Sequence, residues 1–149
     1  MINKRDVDFV FSHEQAIREA VQEKRSVKGG HTGASGGHCY ISDPTAITAI
    51  RNIEEVSCVY IEYGPNTGTG RERKRLRYPE RWLKVMDWTR EYYYESCRVE
   101  QGRLLDMHYR QNVSREEACE QLHIGYGKYH TMLNDVLAFG VGLATGLGI

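Results

Sequence analysis

The residues with the most to offer chemically gather late in the chain. Tyr126, Lys128, His130, Thr131 and Asn134 are polar, hydrogen-bonding side chains spaced so that a helix would carry them along one side. A lysine in that setting reaches guanine acceptors or a phosphate, an asparagine pairs in bidentate fashion with adenine, and hydroxyls and imidazoles contact either. Arg110 and Arg115, just upstream, stand where nucleic-acid backbone phosphates would be held. A second basic group, Arg71, Arg73, Lys74, Arg75, Arg77 and Arg81, lies in a stretch, Arg71 to Lys84, that holds seven basic residues against two acidic ones. It reads either as a solvated loop and helix start or as a patch for phosphate or a partner.

Other chemistries find less to work with. No Ser/His/Asp set, paired carboxylates or phosphate-cradling loop stands out, and the Gly-Thr-Gly before Arg71 lacks the Lys-Ser/Thr of a P-loop. His31, His38 and Cys39 have no fourth ligand nearby for zinc. The expectation is a protein that is not an enzyme, with no catalytic residues, metal or cofactor. Cys39, Cys58, Cys97 and Cys119 form no C-x-x-C pair and read as reduced thiols. Formal net charge is zero, so any electrostatic attraction to a polyanion must come from how the charge is distributed. No apolar run approaches the roughly 20 residues of a membrane span, and no signal pattern opens the chain, so no membrane partner is expected.

The elements needed to position these side chains follow from period and punctuation, and the fold class expected is mainly α. Residues 1–27 form an N-terminal helix, with Phe9, Val10, Ala16, Ile17, Ala20 and Val21 at helical spacing and Ser12 with Gln15 as an internal capping box. Residues 28–42, rich in glycine and without apolar period, read as a flexible linker. Residues 43–78 hold a short helix opened by Asp43-Pro44 and a small β-hairpin, Val56–Tyr63 returning as Arg73–Tyr78. Residues 79–149 form a helical domain. Pro79 opens a long helix with Trp82, Val85, Met86, Thr89, Tyr92, Tyr93 and, in part, Trp88 inward, and Leu104, Leu105, His108 and Tyr109 continue in a second.

Within that domain, Ser114-Arg115-Glu116-Glu117 is a capping-box start to a short helix ending near Leu122. Ile124 would pin the following turn and Gly125 would permit it. A second helix from Tyr126 to about Phe139 would bury Tyr129, Leu133, Val136 and Leu137. The span 114–138 is therefore a helix-turn-helix, which fits duplex DNA or serves as a plain αα-hairpin. The glycine-rich tail 140–149 carries no predicted element.

The pattern Leu104-Leu105…Tyr109…Ser114-x-x-Glu117-Ala118-Cys119-x-x-Leu122-x-Ile124-x-x-x-x-Tyr129-x-x-x-Leu133 resembles the promoter-recognising C-terminal helix-turn-helix of sigma factors. With Ser42-Asp43-Pro44-Thr45, Pro79-Glu80-Arg81-Trp82-Leu83-Lys84-Val85 and the Gly-Leu-Gly-Ile end, residues 28–149 resemble the RinA-like and ArpU-like phage transcriptional regulators. That likeness implies a sequence-specific activator of late packaging and structural genes, acting in the cytoplasm of a bacterial host. It implies double-stranded DNA as partner, and leaves host RNA polymerase and a homo-oligomer as further ones. It implies that Tyr126, Lys128, His130, Thr131 and Asn134 belong to the base-reading helix. Gly125 and Gly127 depart from the Ser or Thr caps more usual there. The alternatives are a packaging component such as a small terminase subunit and an adaptor that grips RNA polymerase without touching DNA.

Overall fold

A computed structural model describes residues 2–26, 54–64, 71–96 and 98–149. Its elements in chain order are α1 (Lys4–Ser12), α2 (Glu14–Ser26), β1 (Cys58–Tyr63), β2 (Glu72–Arg77), α3 (Pro79–Glu95), α4 (Val99–Tyr109), α5 (Arg115–Gln121) and α6 (Tyr126–Gly146). The protein is mainly helical with one small antiparallel hairpin, the class its sequence predicts. The predicted linker 28–42 and the short helix after Pro44 lie outside the described residues, as do His31, His38 and Cys39. Among the described residues no helix is long and apolar enough to cross a membrane.

The chain divides into two compact units, one of residues 1–14 with 81–149 and the other of residues 15–80. The start of the chain thus groups with its end. The single N-terminal helix is in fact two. Asn3 caps α1, accepting from the backbone N–H groups of Arg5 and Asp6, while Asp6 accepts from the backbone of Asn3. The helix stops at His13, whose Nδ1 lies 2.7 Å from the Phe9 carbonyl and whose ring stacks on Phe9 at 4.2 Å. The same carbonyl also accepts from the His13 backbone N–H at 3.1 Å, so the ring and the main chain of the C-cap residue both close on the last turn of α1. Gln15, expected to close a capping box with Ser12, instead donates to Glu19 at 2.8 Å.

In the unit of residues 15–80, β1 pairs antiparallel with β2 in the register Val59↔Leu76, Tyr60↔Arg75, Ile61↔Lys74 and Glu62↔Arg73. Period-two alternation buries Val59, Ile61 and Leu76 on one face and exposes Tyr60, Glu62, Arg73, Arg75 and Arg77 on the other. Glu80 accepts from the backbone N–H of Val56 at 3.2 Å and pairs with Arg25.

In the other unit, α1 packs on α6, and α4 on α5 and α6. Its buried residues include Val7, Val10 and Phe11 from α1, Trp82, Val85, Met86 and Tyr93 from α3, and Leu104 and Leu105 from α4. Tyr92, expected inward, is 44% exposed and stacks on Phe139 at 4.4 Å, and Trp88 is 45% exposed. The glycine-rich tail is helical rather than irregular: α6 runs on to Gly146, with Gly140 and Ala144 buried. Gly140 explains how. A Cβ there would meet Val7 Cγ1 at 2.7 Å, so the missing side chain is what lets α1 approach.

Candidate nucleic-acid interface

Ser114 starts α5 by accepting from the Glu117 N–H at 3.2 Å, as predicted. The Glu117 carboxylate takes the Gln121 amide at 3.2 Å. At the other end the chain turns through a Schellman arrangement. The Ile124 N–H donates to the Cys119 carbonyl at 3.0 Å, and the His123 N–H to the Glu120 carbonyl at 3.2 Å. The residue that makes the turn possible is His123, with φ +52°, and not Gly125. Gly125 is extended, at φ −83° and ψ 163°, and is the N-cap of α6, a place where any short polar residue would serve.

One apolar cluster fixes the two helices. Leu104 and Met107 of α4, Ala118, Cys119 and Leu122 of the α5 segment, and Tyr129 and Met132 of α6 are all buried, with Val113, Ile124 and Leu133 packed against them. Ala118 is fully buried, and its single methyl lets the helices close on one another. Ile124 is the predicted pin, although half-buried. Tyr129 turns its hydroxyl to His108 Nδ1 at 2.8 Å. Burial holds the His108 imidazole below its ordinary pKa, with Asp8 pulling weakly the other way, and burial raises the Tyr129 phenol. A neutral His108 is therefore the form the core accommodates.

With Tyr129, Met132, Val136 and Leu137 inward, α6 leaves Tyr126, Lys128, His130, Thr131 and Asn134 exposed. Tyr126, His130 and Asn134 follow one another at four-residue steps, with Thr131 beside them and Lys128 on the flank. The Arg115 guanidinium lies over the Tyr126 ring at 4.6 Å and pairs with Glu116 at 3.1 Å. That bond raises the Arg115 pKa, while backbone hydrogen bonding and then Arg115 lower that of Glu116. Lys128 lies 3.7 Å from Glu100, with both side chains more than half exposed. Such a pair is worth little in water, so a phosphate can displace it. Thr131 donates its hydroxyl to the Gly127 carbonyl at 3.0 Å, and Asn134 accepts from Lys4 Nζ at 3.4 Å. Nothing lies within 4 Å of a Cβ built at Gly125 or Gly127, so the start of α6 is open to backbone approach.

Arg110 does not join this face. Its guanidinium donates to Glu14 at 3.0 and 3.3 Å and lies 3.8 Å from Asp106, in a network whose centre is the buried Arg90. Of the carboxylates that neutralise Arg110, Glu14 lies 96 positions away and left no trace in the local sequence, whereas Asp106, one helical turn before it, was a competitor within reach. Two features escaped the sequence reading. Asp135 is exposed beside Asn134, and Glu116, Glu117 and Glu120 are exposed on α5. Across residues 114–138 two cations, Arg115 and Lys128, stand against four carboxylates, a formal charge of −2.

The other predicted patch is split by the fold. Arg73, Arg75 and Arg77 line the open face of β2, whereas Lys74 projects to the opposite face and Arg81 donates to the Leu147 carbonyl at 3.0 Å. Arg71 lies 3.6 Å from Glu62. No family model, curated protein or solved structure matches the chain.

Proposed function

We propose that this chain is a sequence-specific regulator of transcription that binds double-stranded DNA and reads bases with the first two turns of α6. The supporting observation is that Tyr126, Lys128, His130, Thr131 and Asn134 are all exposed while Tyr129, Met132 and Leu133 between them are packed into the cluster with α4 and α5. A rigid helix whose open side is rich in hydrogen-bonding groups rather than uniformly charged suits the major groove, where base edges present distinct donor and acceptor patterns. The pattern shared with sigma-type helix-turn-helices and with phage late-gene regulators supports an activator of packaging and structural genes, working in the host cytoplasm.

The test is selection of bound fragments from the source genome, followed by binding of the selected site to Lys128→Ala/Asn134→Ala. Each lost base contact is worth about 1–3 kcal/mol of discrimination, so the double variant should lose roughly 10-fold or more of its preference while melting with the parent. Unchanged preference removes α6 as the reader. A complex that is indifferent to salt identifies a protein adaptor instead, and a ring in light scattering a packaging component.

A further inference from the structure

A helix-turn-helix with a formal charge of −2 leaves a question of energetics. Non-specific DNA affinity comes almost wholly from lysine and arginine neutralising phosphates and releasing counterions. Residues 114–138 cannot supply that term, and Arg110 is occupied by Glu14 and Asp106. The cations must sit elsewhere.

The hairpin has them. Residues 71–77 carry five cations against one carboxylate, and β2 sorts three of them onto one face. Arg73, Arg75 and Arg77 alternate with Lys74 and Leu76, and all three arginines are exposed. Across the ladder they face Glu62, Tyr60 and Cys58, so this open face holds three guanidinium groups and one carboxylate. The row is pre-shaped rather than loose. The Arg73 guanidinium lies over the half-exposed Tyr60 ring at 4.7 Å, and Arg75 is hydrogen-bonded to the Cys58 thiol. Alternate residues of a strand are about 6.7 Å apart, giving an evenly spaced line of planar forks suited to bidentate phosphate contact. The opposite face is buried through Val59, Ile61 and Leu76, so the ribbon can offer a surface but cannot thread into a groove.

We infer that the Arg73–Arg75–Arg77 face of the hairpin is a second DNA contact, gripping the phosphate backbone of the duplex whose bases α6 reads. This rests on the proposed function for its ligand. It assigns the two tasks to different units of the chain: α6 supplies sequence preference with little charge, and the hairpin supplies charge with no sequence preference. Joined in one chain, each raises the effective concentration of the other at the site.

The experiment is a salt titration of the full chain on the selected site and on a scrambled duplex of equal length, with Arg73→Gln/Arg75→Gln/Arg77→Gln and the matching triple lysine variant. The slope of log affinity against log salt should become shallower by about 2.7 in the glutamine variant, three contacts at about 0.9 each. Both duplexes should weaken by the same factor, leaving their ratio unchanged, and the lysine variant should keep the parent slope. A glutamine variant with the parent slope overturns the inference while the reading of α6 stands. If the parent binds both duplexes equally, and the glutamine variant loses both, the inference survives and the base-reading role of α6 falls. A parent that binds neither duplex ends both. Circular dichroism melts of the two triple variants show whether the hairpin is still formed, and loss of slope in an unfolded glutamine variant is decided by the lysine variant, which must then retain it.

Discussion

Gly140 is the position where the packing of α1 against α6 can be tested most sharply. A methyl placed there falls 2.7 Å from Val7 Cγ1, well inside contact distance, and Val7 is fully buried. Forcing an extra methyl into a filled site costs about 1–3 kcal/mol. The same change in a helix interior gains about 1 kcal/mol through backbone entropy. Gly140→Ala should therefore destabilise by about 1 kcal/mol net, whereas Gly142→Ala, with nothing within 4 Å, should stabilise by a few tenths to about 1 kcal/mol. Val7→Ala alone removes two buried methyl groups, a loss of about 1.6 kcal/mol plus a cavity term. In the double variant the new methyl enters the space the old ones left, so the pair should cost about 1–2 kcal/mol less than the sum of the singles. Urea unfolding, followed by circular dichroism at constant slope, measures all four corners of that cycle. Additivity to within about 0.5 kcal/mol would mean that the two helices do not meet at this point. It would also refute the account of why a glycine-rich tail is helical.

Two further outcomes follow from particular backbone and side-chain environments. His123 holds φ +52° at the elbow of the helix-turn-helix, where glycine avoids the left-handed penalty, so His123→Gly should raise stability by about 0.5–1 kcal/mol and His123→Val should lower it by more than 1 kcal/mol, both read from thermal melts. His108 has its pKa lowered by burial, so the unfolded chain binds the extra proton first and the stabilisation is present above about pH 6.5 and lost as pH falls toward the folded-state value. The difference in melting temperature between pH 7.5 and pH 5.5 should shrink in His108→Gln, and an unchanged difference would show that this imidazole does not titrate with folding.

What could be read from the residues alone was whatever depends on near neighbours. The α5 start at Ser114, the α3 start at Pro79 and the hairpin strands, expected at 56–63 and 73–78 and found at 58–63 and 72–77, are each specified within a few positions of chain. Exposure of the polar set on α6 followed from the same period that buries Tyr129, Val136 and Leu137. The failures are all long-range or side-chain-specific. The break at His13, where the ring as well as the backbone N–H bonds the Phe9 carbonyl, leaves no trace in helix-wide periodicity. Seven residues of α6 beyond Phe139 were hidden because glycine counts against a helix unless a partner needs the space, and the partner, Val7, is over a hundred positions away. Gly125 drew attention as the turn residue because glycine is the usual left-handed residue, yet histidine is also enriched there and His123 took the role.

The charge on each segment deserves more weight than the net charge of zero, which says nothing against a polyanionic partner once the fold has sorted the residues. Glu116, Glu117 and Glu120 on α5 would repel a phosphate backbone, and Glu14 and Asp106 withdraw Arg110 from it. Arg73, Arg75 and Arg77 oppose them from a strand whose alternation keeps lysine and leucine on the other side. On the proposed function, a binding surface assembled this way separates its tasks: the helix-turn-helix would add little affinity for arbitrary sequence, and the sequence-independent affinity would come from the hairpin. Reversing part of that repulsion, as with charge-removing substitutions on α5, should tighten binding to the selected and the scrambled duplex by the same factor and leave their ratio unchanged, because the added affinity would carry no sequence information.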